Sequence, residues 1–185
     1  MLDHCHTGSS PQAKLIIVDK NDNIQGYKTH AQCHDGNGIL HRAFSVFIFN
    51  GSNRLLMQKR SPHKRLWPLY WSNSCCSHPR RGETTVIAAH CRIKEELGIS
   101  TPLRYVFKFR YHAVDADRGS ESELCSVYLG RTNATVAANA DEIADWKFMD
   151  VGDFEKGLAE QPERYTPWIH LEWEYLRSRY QALLR

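Results

Sequence analysis

Periodicity alone assigns this chain to the α/β or α+β class, and three features carry that reading. Apolar residues alternate strand-fashion over 41–50 and again over 103–111, they recur at helical spacing over 83–97, and a second helical pattern follows Thr166-Pro167. At 185 residues and 42% hydrophobic content, one domain over 1–185 is expected, because a second independent core would be cramped. Residues 1–12 carry no pattern and read as a flexible N-terminal segment.

The net charge of +3 is too small for the dense basic stripe of a nucleic-acid binder. Neither a signal peptide nor an apolar run approaching the ~18 residues of a membrane span is present, so a cytoplasmic protein without membrane insertion is expected. With that location, the six cysteines read as free thiols or metal ligands rather than disulfides.

In chain order, Leu15-Ile16-Ile17-Val18 reads as a buried strand entering a turn over Asp19–Asn23, where Asp and Asn tolerate turn geometry. From Gln25 to Ile39 no periodicity is visible, and His30 and His34 fall in an expected polar loop. Over 41–50 both faces are apolar, as in an interior strand, and Asn50-Gly51-Ser52-Asn53 turns it toward a returning strand at Leu55–Gln58. Lys59, Arg60, His63, Lys64 and Arg65 form a basic cluster. A solvated loop is its bland reading, but it immediately precedes the richest stretch of the chain.

That stretch runs from Trp71 to Gly98 and holds Cys76, His78 and the carboxylates Glu83, Glu95 and Glu96 within one strand, loop and helix. Cys76 and His78 stand two apart, so on extended backbone they face the same side. The helix buries a stripe of Val86, Ala89, Ile93 and Leu97 and ends at Gly98. Leu103, Tyr105, Phe107, Phe109 and Tyr111 then alternate with polar residues, and a polar loop over 115–120 follows. Period two next puts Glu121, Glu123, Cys125, Val127 and Leu129 on one face. Carboxylates sharing an apolar face call for pairing or a metal.

A last strand at 145–149, a short helix at 153–160 and a long helix opened by Thr166-Pro167 complete the chain. The apolar stripe of the long helix is read as Trp168, Leu171, Tyr175, Leu176 and Leu183. Together His34, His41, His78, Glu121 and Glu123 offer three imidazoles and two carboxylates, a set that suits a borderline divalent ion such as Zn or Mn.

Several motifs in order give the chain a family resemblance: Leu40-His41-Arg42-Ala43-Phe44-Ser45, Trp67-Pro68, Asn73-Ser74-Cys75-Cys76-Ser77-His78-Pro79, Gly82-Glu83, Glu95-Glu96-Leu97-Gly98, Phe109-Arg110-Tyr111, Glu121-Ser122-Glu123 and Thr166-Pro167-Trp168. In these the sequence resembles the type 1 isopentenyl-diphosphate delta-isomerases of the Nudix fold, from about Leu15 to Trp173. The resemblance implies a mixed sheet sandwiched between helices and a metal-dependent allylic proton shift between isopentenyl and dimethylallyl diphosphates through a tertiary carbocation. It implies Cys76 and Glu123 as the opposed proton-handling pair, aided by Tyr111, with Trp168 facing the cation.

By the same resemblance His34, His41, His78, Glu121 and Glu123 would hold one divalent ion, Mn or Zn or Mg. Glu96, with Cys76, would serve a Mg ion on the substrate diphosphate, and Arg60, Lys64 and His30 would bind that group. The partner implied is a small prenyl diphosphate, and the assembly a monomer or homodimer. Leu69 departs from the family pattern where glycine follows Trp-Pro, and His30 stands in place of a diphosphate-binding lysine, so that charge depends on pH or is supplied by Lys28. Ser77 replaces the glycine that opens the general Nudix signature, and Cys91-Arg92 replaces its Arg-Glu pair. The last change weighs against a Nudix pyrophosphohydrolase, the alternative activity, since it removes a metal-gathering carboxylate. A non-catalytic metal-binding or prenyl-diphosphate-binding relative is the third reading.

Overall fold

The structure, a computed structural model, describes residues 13–184, so the expected flexible segment 1–12 lies outside the described residues. Its elements are β1 (Lys14–Val18), β2 (Ile24–Thr29), α1 (His30–His34), β3 (His41–Phe49), β4 (Leu55–Arg60), β5 (Trp71–Ser72), β6 (Cys75–Ser77), α2 (Thr85–Leu97), β7 (Leu103–Val114), β8 (Ser120–Arg131), β9 (Ile143–Met149), α3 (Val151–Glu160) and α4 (Pro167–Arg179). All nine strands join one mixed sheet.

β3 is its centre because both of its faces are apolar. Phe44, Val46 and Ile48 point into a cluster with Ala88, Ala89, Ile93 and Leu97 of α2, while Ala43, Phe47 and Phe49 meet Ile169, Trp173 and Leu176 of α4. A strand covered on both sides must be interior. Along one edge β3 pairs in parallel with β8, from His41 opposite Glu123 to Phe49 opposite Arg131. Ser45 pairs antiparallel with Cys76 of β6, and β8 pairs antiparallel with β7, setting Tyr111 opposite Glu123.

Local sequence accounts for the helix ends. Thr84 caps α2 by accepting from the Ile87 N–H, and Gly98 closes it in the left-handed region at φ 69°. Several sequence expectations are corrected. The expected loop over 25–39 contains β2 and α1. β2 pairs only with β1 among the described strands and is wet on both faces, so it shows no alternation, and five-residue α1 is too short for helical periodicity. α1 is fixed instead by a capping box between Thr29 and Gln32.

The expected returning strand β4 meets β3 only at Phe49 and Leu55, its longer partner being β9. Val86 and Tyr105 are exposed rather than buried. For Tyr105 the cause is a register shift between it and Phe107, which rotates the start of β7. On α4 Leu171 and Tyr175 face outward, and the buried stripe is Trp168, Ile169, Glu172, Trp173 and Leu176. Leu183 lies beyond α4 in a short 3₁₀ turn. Thr166 stands at the N-cap, but its hydroxyl lies 3.1 Å from Ser72 Oγ and does not cap the helix. Cys33, Cys75, Cys76 and Cys125 carry free thiols as expected, whereas Cys91 is disulfide-bonded.

Candidate active site

Strand register assembles the site. His41, Glu123 and Tyr111 form a row across β3, β8 and β7, while Cys76 and His78 arrive on and just after β6, along the other edge of β3. Helix α1 brings in His34 with His30 one turn before it, their rings stacked at 4.1 Å.

The five expected ligands converge: one donor atom from each of His34, His41, His78, Glu121 and Glu123 lies within 4.8 Å of all the others. His34 Nδ1 sits 2.7 Å from the His30 carbonyl and His41 Nδ1 2.7 Å from the Ile39 carbonyl, so each Nδ1 must carry the hydrogen. In the neutral rings Nε2 is then a bare lone pair aimed into the cluster, and neither Nε2 has a hydrogen-bond partner. His34 Nε2 nevertheless stands 2.8 Å from Glu121 Oε2, itself buried without such a bond. Two acceptors held that close require a cation between them, either a proton or a metal ion. Three nitrogens and two carboxylates, with both Nδ1 atoms tied to carbonyls, fit a divalent metal.

Charge within the cluster follows the same geometry. Burial and the neighbouring His34 hold His78 down at about 3, and burial with His78 and His34 keeps His41 far below the usual imidazole range. Burial also lowers His34, but Glu121 beside it more than offsets this and lifts it above its ordinary value. Neutral rings are the form that ligates metal.

His78, Glu121 and Glu123 of the cluster line a cavity of about 460 Å³, together with Cys76, Tyr111 and Trp168, while His34 and His41 are fully buried. Tyr111 donates its hydroxyl hydrogen to Glu123 Oε2 at 2.7 Å, and His78 Nε2 lies 2.7 Å from Glu123 Oε1. Burial raises the Glu123 pKa and pushes that of Cys76 up to about 12. Asn73 holds Cys76: its amide donates to the carbonyls of Val46 (3.1 Å) and Cys75 (3.2 Å). Its oxygen is therefore left to accept from the Cys76 thiol at 2.7 Å and from Trp168 Nε1 at 3.2 Å.

Cations also line the cavity. Arg60 and Lys64, the residues the resemblance gives to the diphosphate, line the same cavity, each already engaged. The Arg60 guanidinium donates to the Leu66 (2.8 Å) and Trp67 (3.1 Å) carbonyls and lies 5.2 Å over the Trp168 ring, and Lys64 pairs with Glu142. His30 lines the cavity, but burial and neighbouring imidazoles hold it near 3, so it brings no charge, and exposed Lys28 is absent from the lining. Glu96 is likewise not among the described lining residues. It is buried behind them, one carboxylate oxygen without a hydrogen bond.

Sequence reading missed Arg92 as a site residue. It is 7% exposed, lines the cavity and pairs with Glu95. The available signal was its place four residues before Glu96, on the same helix face.

The NUDIX domain family matches residues 39–169. A Photorhabdus laumondii protein named isopentenyl-diphosphate Delta-isomerase 2 is 40% identical over 155 residues, covering 84% of this chain and 87% of its own. An Aromatoleum aromaticum protein named isopentenyl-diphosphate Delta-isomerase 1 is 40% identical over 156 residues, covering 84% of this chain and 88% of its own. In fold, a Deinococcus radiodurans crystal structure matches 80% of this chain and 90% of its own with a TM-score of 0.66 at 21% identity. A NUDIX hydrolase from Nitrosomonas europaea matches 82% of this chain and 92% of its own with a TM-score of 0.56 at 18% identity.

Proposed function

The chain belongs to the isopentenyl-diphosphate Delta-isomerases of the NUDIX fold, and from that membership we propose that it interconverts isopentenyl and dimethylallyl diphosphates by protonating the alkene at one carbon and deprotonating it at another. The observation that carries the reading is that Cys76 and Glu123, the two groups such a shift requires, line one cavity together with the cations Arg60, Lys64 and Arg92.

In this reading the diphosphate sits against Arg60, Lys64 and Arg92, where charge-assisted hydrogen bonds hold its oxygens, with His30 contributing an uncharged contact. The hydrocarbon end lies between Cys76 and Glu123. One of these gives a proton while the other takes one, and the roles exchange in the reverse direction. Tyr111, bonded to Glu123, steadies the carboxylate and can relay its proton. Trp168 presents its electron-rich face to the tertiary carbocation, a contact worth up to ~2 kcal/mol in a desolvated site.

His34, His41, His78, Glu121 and Glu123 would hold one divalent ion, Mn or Zn being favoured by the nitrogen-rich set and Mg remaining open. That ion, when bound, supplies fixed positive charge that orients the Glu123 carboxylate and tunes its acidity. Of Glu96 and Cys76, which the resemblance gives to a Mg ion on the diphosphate, Cys76 lines the cavity and buried Glu96 does not, so such an ion would be served from this cavity by Cys76 alone.

The test is incubation with isopentenyl diphosphate and Mg in heavy water, followed by NMR and a phosphate assay. Deuterium should enter the terminal carbon as dimethylallyl diphosphate accumulates, without phosphate release. Cys76→Ala should lower turnover by ~10²–10⁴-fold, the scale of one lost proton-transfer group, while Cys75→Ala should act far more weakly. Phosphate release without labelling would instead indicate hydrolase chemistry, and a Cys76→Ala protein at wild-type rate would remove the thiol from the mechanism.

A further inference from the structure

Strand pairing sets a buried hydroxyl against the Cys76 thiol, and the proton shift described above leaves it unused. Ser45 of β3 stands opposite Cys76 of β6 in register, so the two side chains share one face of the sheet. Its exposure is 1%, and its Oγ lies 3.4 Å from Cys76 Sγ and 3.6 Å from the sulfur of Cys125 on β8. The thiol also meets Asn73 Oδ1 at 2.7 Å and, more distantly, Ser72 Oγ at 3.9 Å.

The direction of each hydrogen bond follows from where the hydrogens go. Both amide hydrogens of Asn73 go to main-chain carbonyls, those of Val46 and Cys75, so its Oδ1 is an acceptor only and takes the single hydrogen of the Cys76 thiol. The sulfur then has no hydrogen left for either serine. Ser72 cannot supply one, because its own hydroxyl hydrogen goes to Asn73 Oδ1 at 3.0 Å. Cys125 donates toward Ser45 Oγ, which leaves the Ser45 hydrogen for Cys76 Sγ. Among the described side chains hydrogen-bonded to this sulfur, Ser45 is the one that donates to it.

We propose that Ser45 is a positioning residue for Cys76: its hydroxyl donates to Sγ and stabilises the thiolate through which the proton shift passes. The inference rests on the isomerase reading of Cys76. When Cys76 is the acid, its S–H bond breaks, the proton goes to the alkene carbon, the electron pair stays on sulfur, and Glu123 takes the proton lost at the other carbon. When Cys76 is the base, that thiolate is the starting form. In both directions, then, the sulfur carries negative charge on the path. The Asn73 oxygen that accepts from the thiol faces the thiolate with no hydrogen between them, and the Ser45 O–H remains to meet the charge. A hydrogen bond to an ionised acceptor is roughly twice as strong as a neutral one, and a donor already in place costs no reorganisation as the charge develops.

The experiment measures kcat and KM with isopentenyl diphosphate for wild type, Ser45→Ala, Ser45→Thr, Cys76→Ala and the Ser45→Ala/Cys76→Ala double variant, with melting curves for all of them. Ser45→Ala should lower kcat by about 10- to 100-fold, the scale of one lost hydrogen bond to a charged group, with KM and melting nearly unchanged. Ser45→Thr, which keeps the hydroxyl and suits a strand, should stay close to wild type. In the Cys76→Ala background the same Ser45→Ala change should cost less than about twofold, because two residues that act through one bond are not additive. A serine that only supported the fold would slow both backgrounds alike. Wild-type kcat in Ser45→Ala, an equal loss with and without Cys76, or a Ser45→Thr protein as slow as Ser45→Ala overturns the proposal while leaving the isomerase reading intact. A wild-type chain that does not isomerise the substrate overturns the isomerase reading, and the proposal with it.

Discussion

Leu69 adopts φ 65°, and Trp67 two residues earlier adopts φ 45°, both in the left-handed region that side chains resist. The turn is imposed by Arg60, whose backbone N–H donates to the Tyr70 carbonyl and whose own carbonyl accepts from the Leu69 N–H, while its guanidinium grips the Leu66 and Trp67 carbonyls. A left-handed residue costs about 1–2 kcal/mol, and glycine returns about 0.5–1 of that as backbone entropy, so Leu69→Gly should stabilise the fold by about 0.5–1 kcal/mol. Urea denaturation checks this, and a glycine variant no more stable than wild type would mean the turn is relaxed. At this scale the sequence was partly legible. The five ligands stood out because such a set of imidazoles and carboxylates is unusual, and Leu69 stood out against the family pattern. Glu172 and Arg92 did not, because a charged residue within a helix is indistinguishable from a solvated one until packing shows which way it faces.

Among the elements, the β1–β2 turn shows how one carboxylate ties three strands together. Asp22 bonds Arg42 of β3 and Lys108 of β7, each at 2.6 Å. Burial pushes its pKa upward, but the two cations prevail and hold it below the ordinary carboxylate value. A depressed carboxylate contributes its stability above the unfolded-state pKa and loses it as pH falls through the folded-state value. Asn tolerates the positive φ of 68° at this position, so Asp22→Asn tests the charge rather than the turn. The variant should be less stable by on the order of 1 kcal/mol at pH 7, given partial solvent screening, and the difference should shrink below about pH 4. Denaturation at both pH values measures it, and a gap that persists in acid would assign the effect to shape. Long elements such as β3, β7, β8 and α2 were legible because repetition averages out exceptions. Five-residue α1 and edge strand β2 offered nothing to average.

For the molecule as a whole, the convergence of candidate ligands from α1, β3, β8 and just past β6 would link metal binding to folding. An ion bound only by the folded chain, at ~100 times its dissociation constant, adds ~2.7 kcal/mol, which for a chain of this size is ~5–10 °C in melting temperature. Calorimetry on chelator-stripped protein with and without Zn or Mn should show this rise, and His41→Ala should abolish most of it. Equal melting with and without metal would mean that protons alone bridge the cluster. No local pattern could have foretold the convergence, since it depends on the parallel register of β3 against β8.

That register has a kinetic consequence. His41 and Glu123 face each other across strands ~80 residues apart in the chain, and such a distant pairing forms only after a large loop has closed. An ion bridging the two strands therefore ties together contacts that form late in folding and must break before the native state is left. Its stabilisation should then be expressed as slower unfolding in the same metal-loaded protein, with the refolding rate left nearly as it was.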